Sequence, residues 1–127
     1  MMFNYRFFEV SAKLREVLAG RNTGPLRQAT LYVNYACWSH CLDLLQHFGG
    51  DVTTVQALNG TVSYGSGRQQ GTDLAAAFLM ANGATGTVLG TSGSAFKLSL
   101  YHLILNFEHA MIVIDDLDSR LEVNFDN

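Results

Sequence analysis

The sequence predicts an α+β fold, an open and mainly antiparallel β-sheet with helices packed on one face. Segments with helical or strand periodicity occur in the order helix, strand, helix, followed by four to six strands joined by short turns. A run of strands after the helices, rather than strict alternation, is typical of an antiparallel sheet covered on one side. The 127 residues have the length of one domain, and no repeat or linker divides them.

The first three elements are predicted to be a helix, a strand and a second helix. Residues 5–19 place apolar side chains on one stripe at helical spacing, and Gly20 ends this helix. Residues 26–36 alternate apolar and polar side chains, as in a strand with one face in the core. Residues 38–48 return to helical spacing and stop at a pair of glycines.

The rest of the chain is predicted to form strands. Residues 51–64 are rich in Val and Thr, which favour strands. Asn82-Gly83 separates the apolar segments 73–81 and 84–92 and is the strongest short hairpin signal in the chain. Segment 73–81 alone fits a helix as well as a strand, and the Asn-Gly turn favours the strand. Further strands are predicted at residues 96–107, 110–115 and 120–125.

The composition narrows the class of protein. Only 15% of the residues are charged, against roughly 25% in an average soluble domain, so we expect part of the surface to contact another protein. The net charge of −3 argues against nucleic-acid or polybasic membrane partners. No window approaches the roughly 20 apolar residues of a transmembrane helix. Two cysteines are too few for a disulfide framework, which predicts a cytoplasmic protein.

One predicted helix carries a cluster of chemically competent side chains. His40 and Asp43 are three residues apart, and Asp43 and His47 are four apart, so both imidazoles flank the carboxylate on one helix face. An imidazole beside a carboxylate can act as a general acid or base, because the carboxylate fixes its tautomer and stabilises the imidazolium. Local hydrogen bonds at a helix terminus explain the same spacing without catalysis.

The same helix could hold zinc, because thiolates and imidazoles are common zinc ligands. Its four zinc-competent residues are Cys37, His40, Cys41 and His47. Four ligands from one continuous helix cannot close a tetrahedron, since the side chains radiate around the axis, and His102, His109 or an acid would have to complete the site. Two cysteines that pack as small apolar residues explain the pattern better, so we predict no metal site.

Two other motifs only partly match known ligand sites. Residues 65–71, GSGRQQG, are one residue longer than the dinucleotide-binding fingerprint, and no second βα unit surrounds them. Asp115, Asp116 and Asp118 lack the spacing and the terminal glutamate of a calcium-binding EF-hand. We therefore expect a glycine-rich loop and a solvated turn, with no cofactor-binding residue in this chain.

Several short segments, taken in order, resemble the C-terminal domain of one enzyme family. They are NYRFF at 4–8, LR at 14–15, Gly20, GPL at 24–26, HCLDLL at 40–45, GDV at 50–52, VQA at 55–57, DLAAAF at 73–78 and NGATG at 82–86. Together they span nearly the whole chain. On these segments, the sequence resembles the C-terminal domain of the Gfo/Idh/MocA oxidoreductases.

The resemblance implies a fold like the C-terminal domain of dihydrodipicolinate reductase. It also implies that the parent protein is an NAD- or NADP-dependent oxidoreductase acting on a sugar, a cyclitol or a related carbonyl or alcohol substrate. In that family a separate N-terminal Rossmann domain binds the cofactor and supplies a catalytic lysine. The C-terminal sheet supplies substrate contacts and much of the oligomer interface, which implies a homo-oligomer. The chain begins where the second domain begins, so we expect the Rossmann domain to be absent and the chain alone to be inactive.

The resemblance implies catalytic roles for His40 and Asp43. The catalytic stretch of the family often reads Asp-x-x-x-His-x-x-Asp, and these two residues match its last two positions. Ala36 stands at the first position, and the segment before His40 is shortened, so the set is incomplete. The main hypothesis is therefore the substrate-binding and oligomerisation domain of an NAD(P)-dependent oxidoreductase. The alternative is a non-catalytic dimerisation or protein-interaction module.

Overall fold

Two helices and seven strands make up the part of the chain that the structure describes. The structure is a computed structural model, and it describes residues 9–34, 38–64, 71–91, 101–115 and 120–126. The elements are α1 (Glu9–Gly20), β1 (Leu26–Asn34), α2 (Trp38–Gly49), β2 (Val52–Tyr64), β3 (Gly71–Met80), β4 (Thr85–Thr91), β5 (Tyr101–Phe107), β6 (Ala110–Asp115) and β7 (Arg120–Phe125).

The predicted elements are confirmed wherever the described residues cover them. Segment 73–81, which fits either a helix or a strand by its periodicity, forms β3. The predicted ends at residues 5–8, 35–36, 92 and 96–100 lie outside the described residues. Neither of the two described helices has the length and apolar character needed to cross a membrane.

All seven strands form one sheet in the order β2-β3-β4-β1-β5-β6-β7. Strand β1 occupies the middle of the sheet, where it runs parallel to β4 and antiparallel to β5. The other neighbouring pairs are antiparallel. This arrangement confirms the predicted open, mainly antiparallel sheet.

Both helices cover the same face of the sheet, as predicted. Helix α2 packs against β1, and α1 packs against β7. The guanidinium of Arg21 lies 3.6 Å from the centre of the Phe125 ring, which joins the end of α1 to β7. Fully buried side chains fill the layer between helices and sheet: Leu14, Leu31, Val33, Cys41, Leu44, Leu45, Leu103, Leu105, Ile112 and Ile114. The opposite side of the sheet, which we call the open face, has no helix against it among the described residues.

The Asn82-Gly83 turn joins β3 and β4 as the sequence predicts. The backbone amide of Ala84 donates to Oδ1 of Asn82 at 2.9 Å, and Gly83 has a φ of 89°. That φ favours glycine, because a Cβ atom is strained in the left-handed region. Nδ2 of Asn82 also donates to the carbonyl of Leu26 at 3.1 Å, so the turn is held against the start of β1.

The strand register brings many strand ends to one edge of the sheet, which we call the upper edge. Asn34 of β1 pairs with Thr91 of β4, and Asp115 of β6 lies between His102 of β5 and Arg120 of β7. Helix α2 begins at the same edge, because Trp38 follows the end of β1 after only three residues. The first residues of α2 therefore lie beside the upper ends of the strands.

The turn between β5 and β6 lies at the opposite edge. The backbone amide of His109 donates to the carbonyl of Thr23 at 2.8 Å. Nδ1 of His109 lies 2.9 Å from Oδ2 of Asp126. The hydrogen bond to this carboxylate, together with its charge and that of Glu108, raises the pKa of His109 above its ordinary value, although desolvation opposes the rise.

We expect the pKa of His109 to fall toward its ordinary value in the Asp126→Asn variant. A raised pKa means that the folded state binds this proton more tightly than the unfolded chain does. The pair therefore stabilises the fold below the ordinary histidine pKa, and this contribution is lost as the pH rises through the raised value. A titration of the His109 ring followed by NMR measures the shift. An unchanged pKa in the variant would contradict the assignment to Asp126.

Candidate functional site

The predicted catalytic residues lie on α2 close to the upper edge of the sheet. His40 and Asp43 occupy the first half of the helix, three residues apart, so their positions fall on the same side of it. The Asp43 side chain is half-buried. The side chain of His40, and the whole of Ala36 and Cys37, lie outside the described part of the structure.

Two further members of the cluster, Cys41 and His47, lie in different surroundings. Cys41 is fully buried and packs in the core with Leu44 and Leu45, as a small apolar residue would. His47 is exposed in the last turn of the helix. In the described ranges, no three side chains of His, Cys, Asp or Glu come close enough together to hold a metal ion.

The open face of the sheet presents side chains in transverse rows, because paired residues on neighbouring strands point to the same side. Following the register from β2 to β7 gives three such rows. The row nearest the upper edge contains Leu58, Ala75, Leu89, Tyr32, His102, Asp115 and Arg120. The middle row contains Gln56, Ala77, Thr87, Thr30, Ile104, Val113 and Glu122. The lower row contains Thr54, Leu79, Thr85, Gln28, Asn106, Met111 and Asn124.

Twelve positions in these rows, on β2, β3, β4 and β1, carry no charge, and we call them the uncharged area. None of them is Asp, Glu, Lys or Arg. Three large apolar side chains among them are solvent-exposed, at 77% for Leu58, 48% for Leu89 and 41% for Leu79. Contiguous apolar surface of this kind marks contact sites for other molecules, since charged residues are depleted from the centres of protein interfaces.

Two shallow grooves cross this uncharged area. One has a volume of about 370 Å³, and Gln28, Thr30 and Thr87 contribute to its walls. The other has a volume of about 410 Å³ and lies near the upper edge, beside Tyr32. At its end the hydroxyl of Thr91 donates to Oδ1 of Asp73 at 2.9 Å. The row nearest the upper edge is therefore mainly apolar on these strands, whereas the middle and lower rows also offer hydrogen-bonding side chains.

A histidine–aspartate pair lies beside this area. Nδ1 of His102 is 3.1 Å from Oδ2 of Asp115, and the side chains are 30% and 16% exposed. The register sets Tyr32 on one side of the pair and Arg120 on the other. An imidazole that a carboxylate orients in this way can exchange protons with a group placed on the open face.

This pair was not predicted from the sequence, where His102 is a candidate only as an additional metal ligand. The signal was present in the hairpin spacing. Two residues, 108 and 109, separate β5 from β6, and counting outward from them sets His102 opposite Asp115. Opposed residues in an antiparallel pair share one face, so their side chains meet.

Solved structures of dehydrogenases share this fold. The WlbA dehydrogenase from Bordetella pertussis, in complex with NADH and UDP-GlcNAcA, is 16% identical over 99% of this chain, with a TM-score of 0.82. Levoglucosan dehydrogenase, in complex with NADH and levoglucosan, is 17% identical over 97% of the chain, with a TM-score of 0.77. An NAD-binding oxidoreductase from Klebsiella pneumoniae is 12% identical over 99%, with a TM-score of 0.82.

The likeness covers nearly all of this chain but less than half of each of those proteins. The chain spans 43%, 42% and 43% of their respective lengths. No protein-family model and no curated protein matches the sequence. The structural likeness confirms the fold that the sequence resemblance implied.

Proposed function

We propose that this chain, whose fold is that of the C-terminal domain of Gfo/Idh/MocA-type NAD-dependent sugar dehydrogenases, is the substrate-binding and oligomerisation domain of such an enzyme. The observation that carries the proposal is that the two faces of the sheet differ: one is covered by helices and the other is exposed. One face positions α2, with His40 and Asp43, at the upper edge. The other face has no charged side chain at its twelve row positions on β2, β3, β4 and β1, and it exposes Leu58 and Leu89.

The substrate is a sugar, a cyclitol or a related carbonyl or alcohol compound that binds at the upper edge. Solved structures with this fold include complexes with levoglucosan and UDP-GlcNAcA, which supports a carbohydrate. His40 takes the proton from the substrate hydroxyl during oxidation, because loss of a hydride from the carbon requires loss of the hydroxyl proton as well. Asp43, one helical turn further on, orients the imidazole.

The cofactor belongs to a separate N-terminal Rossmann domain rather than to this chain. NAD is the better candidate over NADP, because the solved structures with this fold include NADH complexes. The length of those proteins, of which this chain spans 42–43%, supports a second domain. Bound NAD would accept or return the hydride, whereas residues of this chain would hold the substrate and move its proton. We further propose that the protein acts in the cytoplasm, in keeping with its low cysteine content.

The open face is the surface through which copies of this chain assemble. The test is an Ala77→Lys substitution, because Ala77 is exposed in the middle row of the open face. We expect the wild-type chain to oligomerise and the lysine to weaken association at least about tenfold, since it places an unpaired charge in an apolar contact. Sedimentation velocity over a concentration series measures the change.

The matched control is Ala19→Lys, which adds the same charge at an exposed position of α1 on the other side of the molecule. This variant should associate as the wild-type chain does. Equal association of the Ala77→Lys variant and the wild type would exclude the open face as the oligomer surface. A wild-type chain that stays monomeric at high concentration would do the same.

His40→Ala in the intact parent enzyme should lower turnover at least about tenfold, the lower end of a general acid or base contribution. The fall should appear in kcat, because proton transfer is part of the chemical step. Gln46→Ala, at an exposed position further along α2, is the control and should leave kcat unchanged. Unchanged turnover in the His40→Ala enzyme, with its fold intact by circular dichroism, would remove His40 from the mechanism.

A non-catalytic interaction module is the second candidate function. One observation favours it, since Ala36 stands where the catalytic stretch of the family often has an aspartate. In this case the chain would oligomerise through the open face, whereas the parent protein would oxidise no sugar, cyclitol or related alcohol. A parent protein that reduces NAD with such a substrate would exclude this alternative.

A further inference from the structure

In the part of the chain that the structure describes, strand β2 is one of the two edge strands of the sheet, which have a neighbouring strand on one side only, and it is the longest strand. Among the described strands it pairs only with β3, so one side of its 13 residues presents backbone N–H and C=O groups without a strand partner. The other edge strand, β7, is half as long at six residues and carries Arg120 and Glu122. The two edges of the same sheet therefore differ in length and in charge.

The β2 edge lacks charges and prolines, two of the features that normally prevent strands from pairing with one another. Its sequence, VTTVQALNGTVSY, contains no charged residue and no proline. Residues 53–61 are all solvent-exposed, and the side chains of Val55 and Leu58 are 60% and 77% exposed. Natural proteins commonly protect an exposed edge by charges, prolines, β-bulges or very short strands. Strand β2 has irregularities in its register with β3 only outside the segment 54–59, so within this segment none of these features is present. A long, uncharged and exposed edge is a template for a further strand.

We infer that a second copy of this chain pairs with it antiparallel along β2 and joins the two sheets into one. An antiparallel pair of identical strands around a two-fold axis is self-complementary, because each strand offers the other the same row of donors and acceptors. The regular segment is 54–59, which lies between two irregularities in the β2–β3 register. It is long enough to form an ordinary strand pair.

The side chains on both faces of β2 fit a second copy. In a two-fold pair centred on Gln56, Val55 of each copy lies opposite Ala57 of the other, and both residues are on the face that carries the helices. On the open face the same register sets Thr54 opposite Leu58. Strand β2 has no charged residue, so no like charges oppose each other between the paired strands.

An apolar groove beside β2 also favours a second copy of this chain as the binding partner. The groove has a volume of about 310 Å³ and lies between α2 and β2, with Leu42, Val55, Ala57 and Phe78 in its walls. Val55 remains 60% exposed although it forms part of this groove. A second copy paired along β2 brings its own Val55 and Ala57 to the open side of the groove. The contact then buries apolar side chains in addition to forming backbone hydrogen bonds.

This contact is separate from the open-face contact proposed above, since it uses a different surface of the sheet. A chain with both contacts associates into assemblies of more than two copies. The two contacts are distinguished by a pair of equivalent substitutions, Ala57→Lys at the β2 edge and Ala77→Lys on the open face. Ala57 points to the helix-covered side of the sheet, so its lysine leaves the open face unchanged.

The experiment is sedimentation velocity on the full chain and on the Ala57→Lys, Ala77→Lys and double variants, with Ala19→Lys as the control. We expect Ala57→Lys to weaken edge pairing at least about tenfold, because charges on an edge strand oppose pairing. The largest assembly should then be a face-paired dimer for the Ala57→Lys variant and an edge-paired dimer for the Ala77→Lys variant. The double variant should be monomeric. Circular dichroism confirms that each variant folds.

Oxidative cross-linking locates the contact independently. Single cysteines are introduced in turn at positions 54–59, and the chain with only its own two cysteines is the control. Opposed residues of an antiparallel pair have Cα atoms roughly 4.5–5.5 Å apart, which suits a disulfide. We expect cross-linked dimer to peak at the position on the two-fold axis and to fall on both sides.

Four results would overturn the proposal, and the last of them would leave the open-face proposal standing. The first is an Ala57→Lys variant that associates as the wild type does, and the second is the absence of any cross-linking maximum in the scan. The third is a chain whose β2 edge stays unpaired with its own copies but binds an extended peptide of another protein. Loss of association through Ala77→Lys alone would overturn the edge contact while supporting the open-face proposal.

Discussion

Substitution of Leu44 by alanine is expected to lower the free energy of unfolding by roughly 2–5 kcal/mol, the range for a fully buried leucine. Leu44 is 0% exposed and lies in the core cluster between α2 and the sheet. Its loss removes buried apolar area and leaves a cavity that the surrounding side chains fill only in part. Urea denaturation of the full chain measures the change.

Leu44→Ala should also disturb the position of His40 and Asp43, because Leu44 packs the helix that carries them against the sheet. Gln46→Ala is the control on the same helix, and its exposed position predicts a change within about 0.5 kcal/mol. A comparably small change for Leu44→Ala would contradict the packing of α2 on the sheet. The position of the proposed catalytic residues would then need another explanation.

Replacement of Gly86 by alanine is expected to cost about 3 kcal/mol or more, as overpacking of a filled site does. Gly86 lies in β4 between Phe78 of β3 and Ala29 of β1. A Cβ atom at this position would meet the Phe78 ring and would lie 2.8 Å from the backbone carbonyl oxygen of Ala29. The ring can move, whereas the carbonyl belongs to the central strand and cannot move without disturbing the sheet.

Gly20→Ala is the matched control for this substitution. A Cβ atom at Gly20 meets nothing within 4 Å, and glycine at the end of a helix loses more conformational freedom on folding than alanine does. We therefore expect this variant to unfold at the same denaturant concentration as the wild type or a higher one. A Phe78→Leu, Gly86→Ala double variant should recover part of the loss, since it removes one of the two contacts. Equal stability of the Gly86→Ala variant and the wild type would contradict the close packing of β3, β4 and β1.

The local elements were predictable because periodicity and turn chemistry act over a few residues. The alternation of apolar and polar residues in 26–36 predicted β1, and the helical spacing of apolar residues in 38–48 predicted α2. Asn82-Gly83 decided the ambiguous segment 73–81, because the turn needs a residue with positive φ and the structure has it at Gly83. The hydrogen bond from Asn82 to Leu26 was not predictable, since 56 residues separate these two positions in the chain.

The candidate site was predictable only where its residues share one element. His40 and Asp43 could be placed on one side of a helix from their spacing alone. His102 and Asp115 lie on different strands, and only the pairing of β5 with β6 brings them within 3.1 Å. The uncharged area of the open face is assembled from four strands in the order β2-β3-β4-β1, so no single segment displays it.

The sequence by itself determined the fold class, the approximate bounds of the described helices and strands, and the shortage of charge that points to a contact surface. Each of these depends on residue type and short-range spacing. The tertiary structure alone decided which strands are neighbours, and therefore that β1 is central and that the uncharged strand β2 is an edge. The physical reason is that strand pairing joins residues far apart in the chain. Periodicity specifies which face of a strand is buried but not which strand lies beside it.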